Sequence, residues 1–196
     1  MKNGSFFRAK PLRMLVEAGV MIALAMLLSL IKLYQLPQSG SITPASMLPI
    51  LFFAVRWGVR PGLSAGFAYG LLQFLVSSMY PSPLFEDPFL ALGSVIVLDY
   101  LLAFGVLGLA GLFKGRRFSL PLGVLTGGFL RFIVHYISGV ILWSSFAGDV
   151  PAWLYSLIYN GSFMGVEIAI CMVAALALMK PLDRFVEGRD IQARAA

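Results

Sequence analysis

Cysteine and histidine each occur once in this chain of 196 residues. A single cysteine excludes an intrachain disulfide framework, and Cys171 with His135 offers no metal-ligand spacing. Cys171 lies in an apolar run and reads as a small buried filler. Charge is also scarce: 12% of residues are Asp, Glu, Lys or Arg, 59% are hydrophobic, and the mean hydropathy is +0.87. Soluble domains carry about 25% charged residues, so this chain has too few to cover a globule in water. It is an all-α integral membrane protein by composition. No Gly-rich phosphate loop and no basic module interleaved with aromatics accompany the net charge of +6, which removes nucleic acid and ATP as expected ligands. The basic start "MKNGSFFRAKPLRM" is not followed by a short apolar stretch ending at a small-residue cleavage site. The first apolar segment is therefore read as a retained span. No domain boundary, heptad run or low-complexity segment appears, which predicts one membrane domain over 1–196.

Present instead are long apolar runs. A hydrocarbon core of ~30 Å takes about 20 residues of helix, and that ruler predicts a bundle of six transmembrane helices, roughly 12–33, 45–57, 61–79, 89–113, 120–146 and 152–179. The second is short, and Pro44 and Pro49 interrupt its start. It is expected to be a half-helix covered by its neighbours, since irregular backbone at membrane depth needs protein or water around it. Lys2, Arg8, Lys10 and Arg13 precede the first span; Arg56 and Arg60 separate the second and third. Lys114, Arg116 and Arg117 separate the fourth and fifth; Lys180, Arg184, Arg189 and Arg194 follow the sixth. Thirteen of the fifteen Lys and Arg residues thus fall on one side. The alternate loops "YQLPQSGSITP", "YPSPLFEDP" and "SSFAGDVP" contain none. The positive-inside rule then places both termini in the cytoplasm, with the C-terminal tail as a short cytoplasmic extension.

This topology assigns depths to the polar residues inside the spans. Asp99 lies about ten residues into the fourth span, ~15 Å down at 1.5 Å per residue. Arg131 is near mid-membrane, His135 one turn further out, and Trp143 close to the outer surface. Tyr155, Asn160 and Glu167 descend along the sixth span. His135, Gly139 and Trp143 stand at i, i+4 and i+8 and are predicted to form one stripe, with Gly139 leaving a gap where a flat ligand approaches the backbone. Tyr155 and Asn160 share a face only loosely, unless Gly161 bends the helix. An ionisable group within a span costs at least ~2.5–3.5 kcal/mol on insertion scales and normally faces the interior or a cavity. The candidate partners of Asp99 are Arg131, His135 or a cation that is not part of the protein. Relative depth favours pairing Arg131 with Glu167, leaving Asp99 and His135 for another role. Glu17 is expected to snorkel or pair with Arg13.

Each of these residues also has an ordinary explanation. A membrane histidine can be a packing residue, Asp99 and Arg131 a structural ion pair, and Trp143, Tyr155 and Tyr80 members of an interfacial aromatic belt. What favours a site is coincidence, because acid, imidazole, indole, phenol and amide fall in the outer half of three consecutive spans. An apolar-walled pocket with a few convergent polar groups is the usual form of a small-molecule site. Aromatic walls with a carboxylate suit a flat, cationic, hydrogen-bonding molecule.

Two stretches, "VLDYLLAFGVLGLAGLF" (97–113) and "HYISGVILWSSFAGDVPAWLYSLIYNG" (135–161), resemble the thiamin-specific substrate-binding (S) subunits of energy-coupling factor vitamin transporters. Weaker similarity covers "VEAGVMIALAMLLSLI" (16–31) and "MLPILFFAVRWGVRPGL" (47–63). The resemblance implies six helices, a thiamin pocket near the extracellular face, no cofactor and no catalysis. It carries ligand binding onto Asp99, His135, Trp143, Tyr155 and Asn160, with Tyr100 and Gly139 lining the pocket. Trp143 would stack on a ring and Asp99 would meet the positive charge or the amino group. His135, Tyr155 and Asn160 would bond the pyrimidine edge. It also implies partners: the lipid bilayer, a membrane-embedded coupling (T) subunit and two cytoplasmic ATPases. Gly19 and Ala23 on the first span would form a small-residue contact with the coupling subunit. Two departures stand out. Family members carry Glu at the position of Asp99, and some supply a lid tryptophan from the first external loop, for which Tyr34 is the substitute here. The loop "YPSPLFEDP" is also longer than in the family.

Three other readings compete: an S subunit for a different vitamin, a membrane enzyme using His135 and Asp99 as an acid–base pair, and a self-sufficient small carrier. The depth of that pair and the lack of a nucleophile argue against the enzyme.

Overall fold

The computed structural model describes residues 4–77 and 81–186. Lys2, Tyr80, the end of the third expected span and most of the C-terminal tail lie outside the described residues. Six helical stretches follow in order. They are α1 (Gly4–Leu30), α2 (Leu48–Trp57), α3 (Val59–Val76), α4 (Pro88–Phe113), α5 (Ser119–Leu142) and α6 (Ala152–Val186). Four of them, α1, α4, α5 and α6, are long and apolar enough to cross a membrane. The outer surface is apolar to match, with Leu15, Leu75, Phe129 and Val173 all more than half exposed. α2 has ten residues, about 15 Å of helix, or half a hydrocarbon core. Leu48 through Val55 are buried throughout by neighbouring helices.

One glycine joins α2 to α3. Gly58, at φ +100°, donates its N–H to the Ala54 carbonyl and turns the chain directly into the next helix. A left-handed residue at this place is strongly biased to glycine. From there Gly62, Gly66 and Gly70 recur every fourth residue and share one face of α3. They meet Gly105 and Gly108 on α4. A Cβ on Gly66 would lie 2.4 Å from the Phe104 carbonyl oxygen, and one on Gly108 would lie 2.1 Å from the Leu63 nitrogen. The two backbones therefore touch, as small residues allow in membrane helix pairs.

α4 is irregular for most of its length. Asp87 caps it, accepting from the Phe89 and Leu90 N–H groups, with Pro88 in the first turn, both favoured at a helix start. The α-helix then widens into a π turn over Ile96–Leu102 and tightens into a 3-10 stretch over Val106–Phe113. The π turn carries Asp99 and Tyr100.

Several helix bounds differ from the expected spans, and two of the differences shape the cavity. α1 stops at Leu30 because the chain beyond it pairs with itself. Tyr34–Gln35 and Ser41–Ile42 form a short antiparallel hairpin, extended by a Leu33 N–H bond to the Ile42 carbonyl at 2.9 Å. α5 stops at Leu142, and Trp143 leaves helical geometry at φ −118° before one 3-10 turn over Ser144–Ala147. Trp143 thus sits past the helix end and not on the expected stripe. The core gathers Ile50, Leu51, Tyr69, Leu107, Val124 and Met164. Cys171 lies wholly buried within it.

The inner end of α1 is fastened by Glu17, which accepts from more groups than the single expected partner. Arg13 Nε reaches it at 2.8 Å, Arg56 Nε at 2.7 Å and the Trp57 indole at 2.7 Å. Elsewhere α1 is loosely held, with 6% of its apolar stretch buried.

Candidate functional site

A cavity of about 250 Å³ opens beside the hairpin and runs down between α3, α4, α5 and α6. Asp99, Tyr100, His135, Gly139, Trp143, Tyr155 and Asn160 all line it. The arrangement follows from local structure. The π turn sets the register at which Asp99 leaves α4, and such turns recur at functional sites. Asp99 Oδ2 accepts the Trp143 indole N–H at 3.0 Å, and Oδ1 lies 3.4 Å from His135 Nδ1. The free nitrogen of His135, Nε2, is buried without a hydrogen-bond partner. Tyr100 packs edge-on against Phe74 and shares a 2.6 Å hydrogen bond with Ser77.

Besides lining the cavity, Gly139 seats the last helix. A Cβ there would lie 2.2 Å from Ser156 Oγ and 2.9 Å from Asn160 Nδ2. The room is taken by α6, whose Ser156 donates to the Tyr136 carbonyl at 2.8 Å. Asn160 in turn donates to the His135 carbonyl at 3.2 Å and to Ser156 Oγ at 3.1 Å. This locks α6 against the His135 turn. α6 passes through Gly161 as one continuous helix, and Tyr155 and Asn160 still reach the same cavity.

Sequence reasoning missed Tyr159. It stacks on Tyr155 with ring centroids 5.8 Å apart, donates its hydroxyl to the Pro37 carbonyl and accepts the Gly40 N–H at 3.0 Å. It thereby pins the hairpin over the cavity. The spacing held the signal, because Tyr155–Tyr159 and Ser156–Asn160 are both i, i+4 pairs. Tyr34, the expected substitute for a lid tryptophan, is 62% exposed on the hairpin and does not line the cavity in this structure. Neighbours on a strand point to opposite faces, and Gln35 is the one that turns inward. Gln38 and Ser39 hold φ of 56° and 71°, a left-handed conformation that costs a residue with a side chain on the order of 1–3 kcal/mol.

Electrostatically the cavity is uneven. Arg131, buried at its deep end, lies over the Phe104 ring at 4.2 Å with Nη1 4.0 Å from Glu167 Oε2. Glu167 also accepts from Thr43 at 2.5 Å and Ser46 at 3.0 Å. The pairing that relative depth favoured is thus present. Asp99 has no Lys or Arg within 4.0 Å among the described residues. The cavity can therefore accept a cation at the Asp99 level and clamp a flat ring among Trp143, Tyr155 and His135. No cluster of three His, Cys, Asp or Glu suited to a metal occurs among the described residues. Gly19 and Ala23 lie exposed on α1, and nothing comes within 4 Å of a Cβ built on Gly19.

Comparison with known proteins points one way. The family described as thiamine transporter protein (Thia_YuaJ) matches residues 15–187. The chain is 30% identical to the thiamine transporter ThiT of Bacillus subtilis over 92% of this chain and 97% of that one. It is 28% identical to ThiT of Lacticaseibacillus paracasei over 95% and 98%. The solved structure of ThiT from Listeria monocytogenes superposes with a TM-score of 0.75 at 27% identity, covering 90% of this chain and 98% of that one.

Proposed function

Because the chain belongs to the thiamine transporter protein family, a family of multi-pass membrane proteins, we propose that its cavity is a thiamin-binding site. In this reading it is the substrate-binding subunit of an energy-coupling factor transporter. The observation that carries the reading is the inequality of the two carboxyl groups that line the cavity. Glu167 faces Arg131, whereas Asp99 has no Lys or Arg within 4.0 Å among the described residues and meets His135 and Trp143. A monocationic guest supplies the missing charge, and burial makes that attraction stronger than it would be in water. Thiamin carries one fixed positive charge on its thiazolium ring and an aminopyrimidine for His135, Tyr155 and Asn160 to bond.

All six helices cross the bilayer, α2 doing so with the help of the irregular segment before it, and both termini are cytoplasmic. The hairpin then lies on the extracellular side as the lid of the cavity. With no phosphate-binding loop in the sequence, transport draws on a membrane-embedded coupling subunit and two cytoplasmic ATPases. The open face of α1 at Gly19 and Ala23 is where the coupling subunit packs. The protein binds and releases its ligand without chemical change.

The test is titration of purified protein with thiamin while tryptophan fluorescence is followed. Saturable quenching is expected, and Trp143→Ala should abolish it. Quenching by riboflavin or biotin but not by thiamin would reassign the cavity to another vitamin.

A further inference from the structure

Ser82 is turned inward from a stretch that otherwise faces out. From Pro81 to Leu90 every other residue is exposed, whereas Ser82 is 2% exposed. Its neighbours in the sequence help to hold it so. Pro83 confines the residue before it to extended backbone, and neither Pro81 nor Pro83 has an N–H to compete for acceptors. The Ser82 hydroxyl is used in both senses. It donates to the Leu142 carbonyl at 2.8 Å, across 60 positions of sequence, and accepts the Leu84 N–H at 3.2 Å. The Ser82 N–H meets the Ala91 carbonyl at 3.5 Å, in the first turn of α4. Ser82 does not line the cavity.

The bond to Leu142 answers a need that the end of α5 creates. The last carbonyls of a helix have no partner within it, and Leu142 is 2% exposed, so its carbonyl requires a donor from the protein. A continuing helix would bring the Phe146 N–H to this carbonyl. The chain tightens into the 3-10 turn instead, and Phe146 donates to the Trp143 carbonyl at 3.1 Å. Ser82 takes the vacated place. The Leu142 carbonyl and the Trp143 N–H belong to one planar peptide unit. A donor fixed on the carbonyl therefore sets the direction in which the chain enters Trp143, whose indole goes on to Asp99 Oδ2 at 3.0 Å.

We infer that Ser82 is a positioning residue for ligand binding: from the loop before α4 it fixes the Leu142–Trp143 peptide, and through it the place of the Trp143 indole in the cavity wall, without touching the guest. The identity of the guest rests on the thiamin reading above, whereas the placement of Trp143 does not.

The test follows Trp143 and thiamin separately. Fluorotryptophan is incorporated, and the three tryptophans are observed by fluorine NMR, with the Trp143 resonance assigned by its loss in Trp143→Phe. Thiamin affinity is measured by isothermal titration. Ser82→Ala should move the Trp143 resonance of the ligand-free protein and leave those of Trp57 and Trp153 in place. It should also weaken thiamin about five- to tenfold, the net worth of one hydrogen bond. Ser82→Thr keeps the hydroxyl and should restore both. Asp87→Ala, which removes the cap of α4 in the same loop, is the control, expected to lower the unfolding temperature with Trp143 and affinity as in wild type. If Asp87→Ala moves Trp143 as far as Ser82→Ala does, the effect belongs to the loop at large and the inference fails. It fails too if Ser82→Ala leaves the Trp143 resonance where it was, whatever happens to affinity. Should wild type not bind thiamin, the vitamin reading falls, and the resonance of ligand-free Ser82→Ala still decides the role of Ser82. Ser82→Cys keeps the volume and donates only weakly, and should act in the same direction if Ser82→Ala does not accumulate.

Discussion

The Trp143 indole donates to Asp99 Oδ2 at 3.0 Å across 44 positions of sequence. This bond joins the π turn of α4 to the end of α5. It holds the carboxyl group in place before any guest arrives, so little reorganisation is needed on binding.

Replacing Asp99 by Asn should lower thiamin affinity about 10- to 100-fold, in line with the ~1.5–3 kcal/mol of a hydrogen bond to a charged group. Asp99→Glu keeps the charge and should recover most of the loss. Isothermal titration of the two variants decides the matter. Equal weakening by both would mean that fit at this position outweighs charge.

Tyr159→Phe removes the bond to the Pro37 carbonyl and orphans the Gly40 N–H. Its effect should fall on the lid. A loss of ~1.4 kcal/mol corresponds to a tenfold change, expected as faster thiamin dissociation in stopped-flow fluorescence with little change in association rate.

Gly66→Ala should destabilise the protein by about 1–3 kcal/mol through overpacking. The new methyl group would meet a backbone oxygen at 2.4 Å, which cannot swing away as a side chain can. Gly165→Ala is the control. Nothing lies within 4 Å of its Cβ, so the helical preference for alanine should leave stability unchanged or raise it by up to ~1 kcal/mol. Thermal unfolding in detergent measures both.

Glu17→Gln should cost on the order of 1–2 kcal/mol in the same assay, because Arg13, Arg56 and Trp57 lose a charged acceptor. Thiamin binding should hold, since Glu17 does not line the cavity. A loss of binding would mean that the fastening of α1 reaches the site.

Hydropathy and spacing made much of this fold legible. Apolar runs of α1, α4, α5 and α6 are long enough to stand out, and His135 with Gly139 could be placed on one face by the helical period alone. Relative depth along α5 and α6 was enough to match Arg131 with Glu167. What escaped is local geometry. The π turn at Asp99 leaves no mark on hydropathy, because a wider turn is made from the same apolar residues. The hairpin was hidden because Pro37, Gln38 and Ser39 read as an ordinary loop, and its pairing depends on left-handed residues that are not glycine. Trp143 lay at the end of a periodic pattern, where a helix boundary is hardest to place. The glycines at positions 62, 66 and 70 recur every fourth residue, a pattern that went unnoticed in the sequence and gains its meaning only from the partner it meets on α4.

That repeat bears on movement. α3 and α4 meet backbone to backbone at Gly66 and Gly108, with no side chains between them to reshuffle, so neither can slide past the other. The wall bearing Asp99 and Tyr100 is thus the one least free to rearrange. Were a guest to enter by displacement of the opposite side, the part to move would be the hairpin, which Tyr159 of α6 bonds at Pro37 and Gly40.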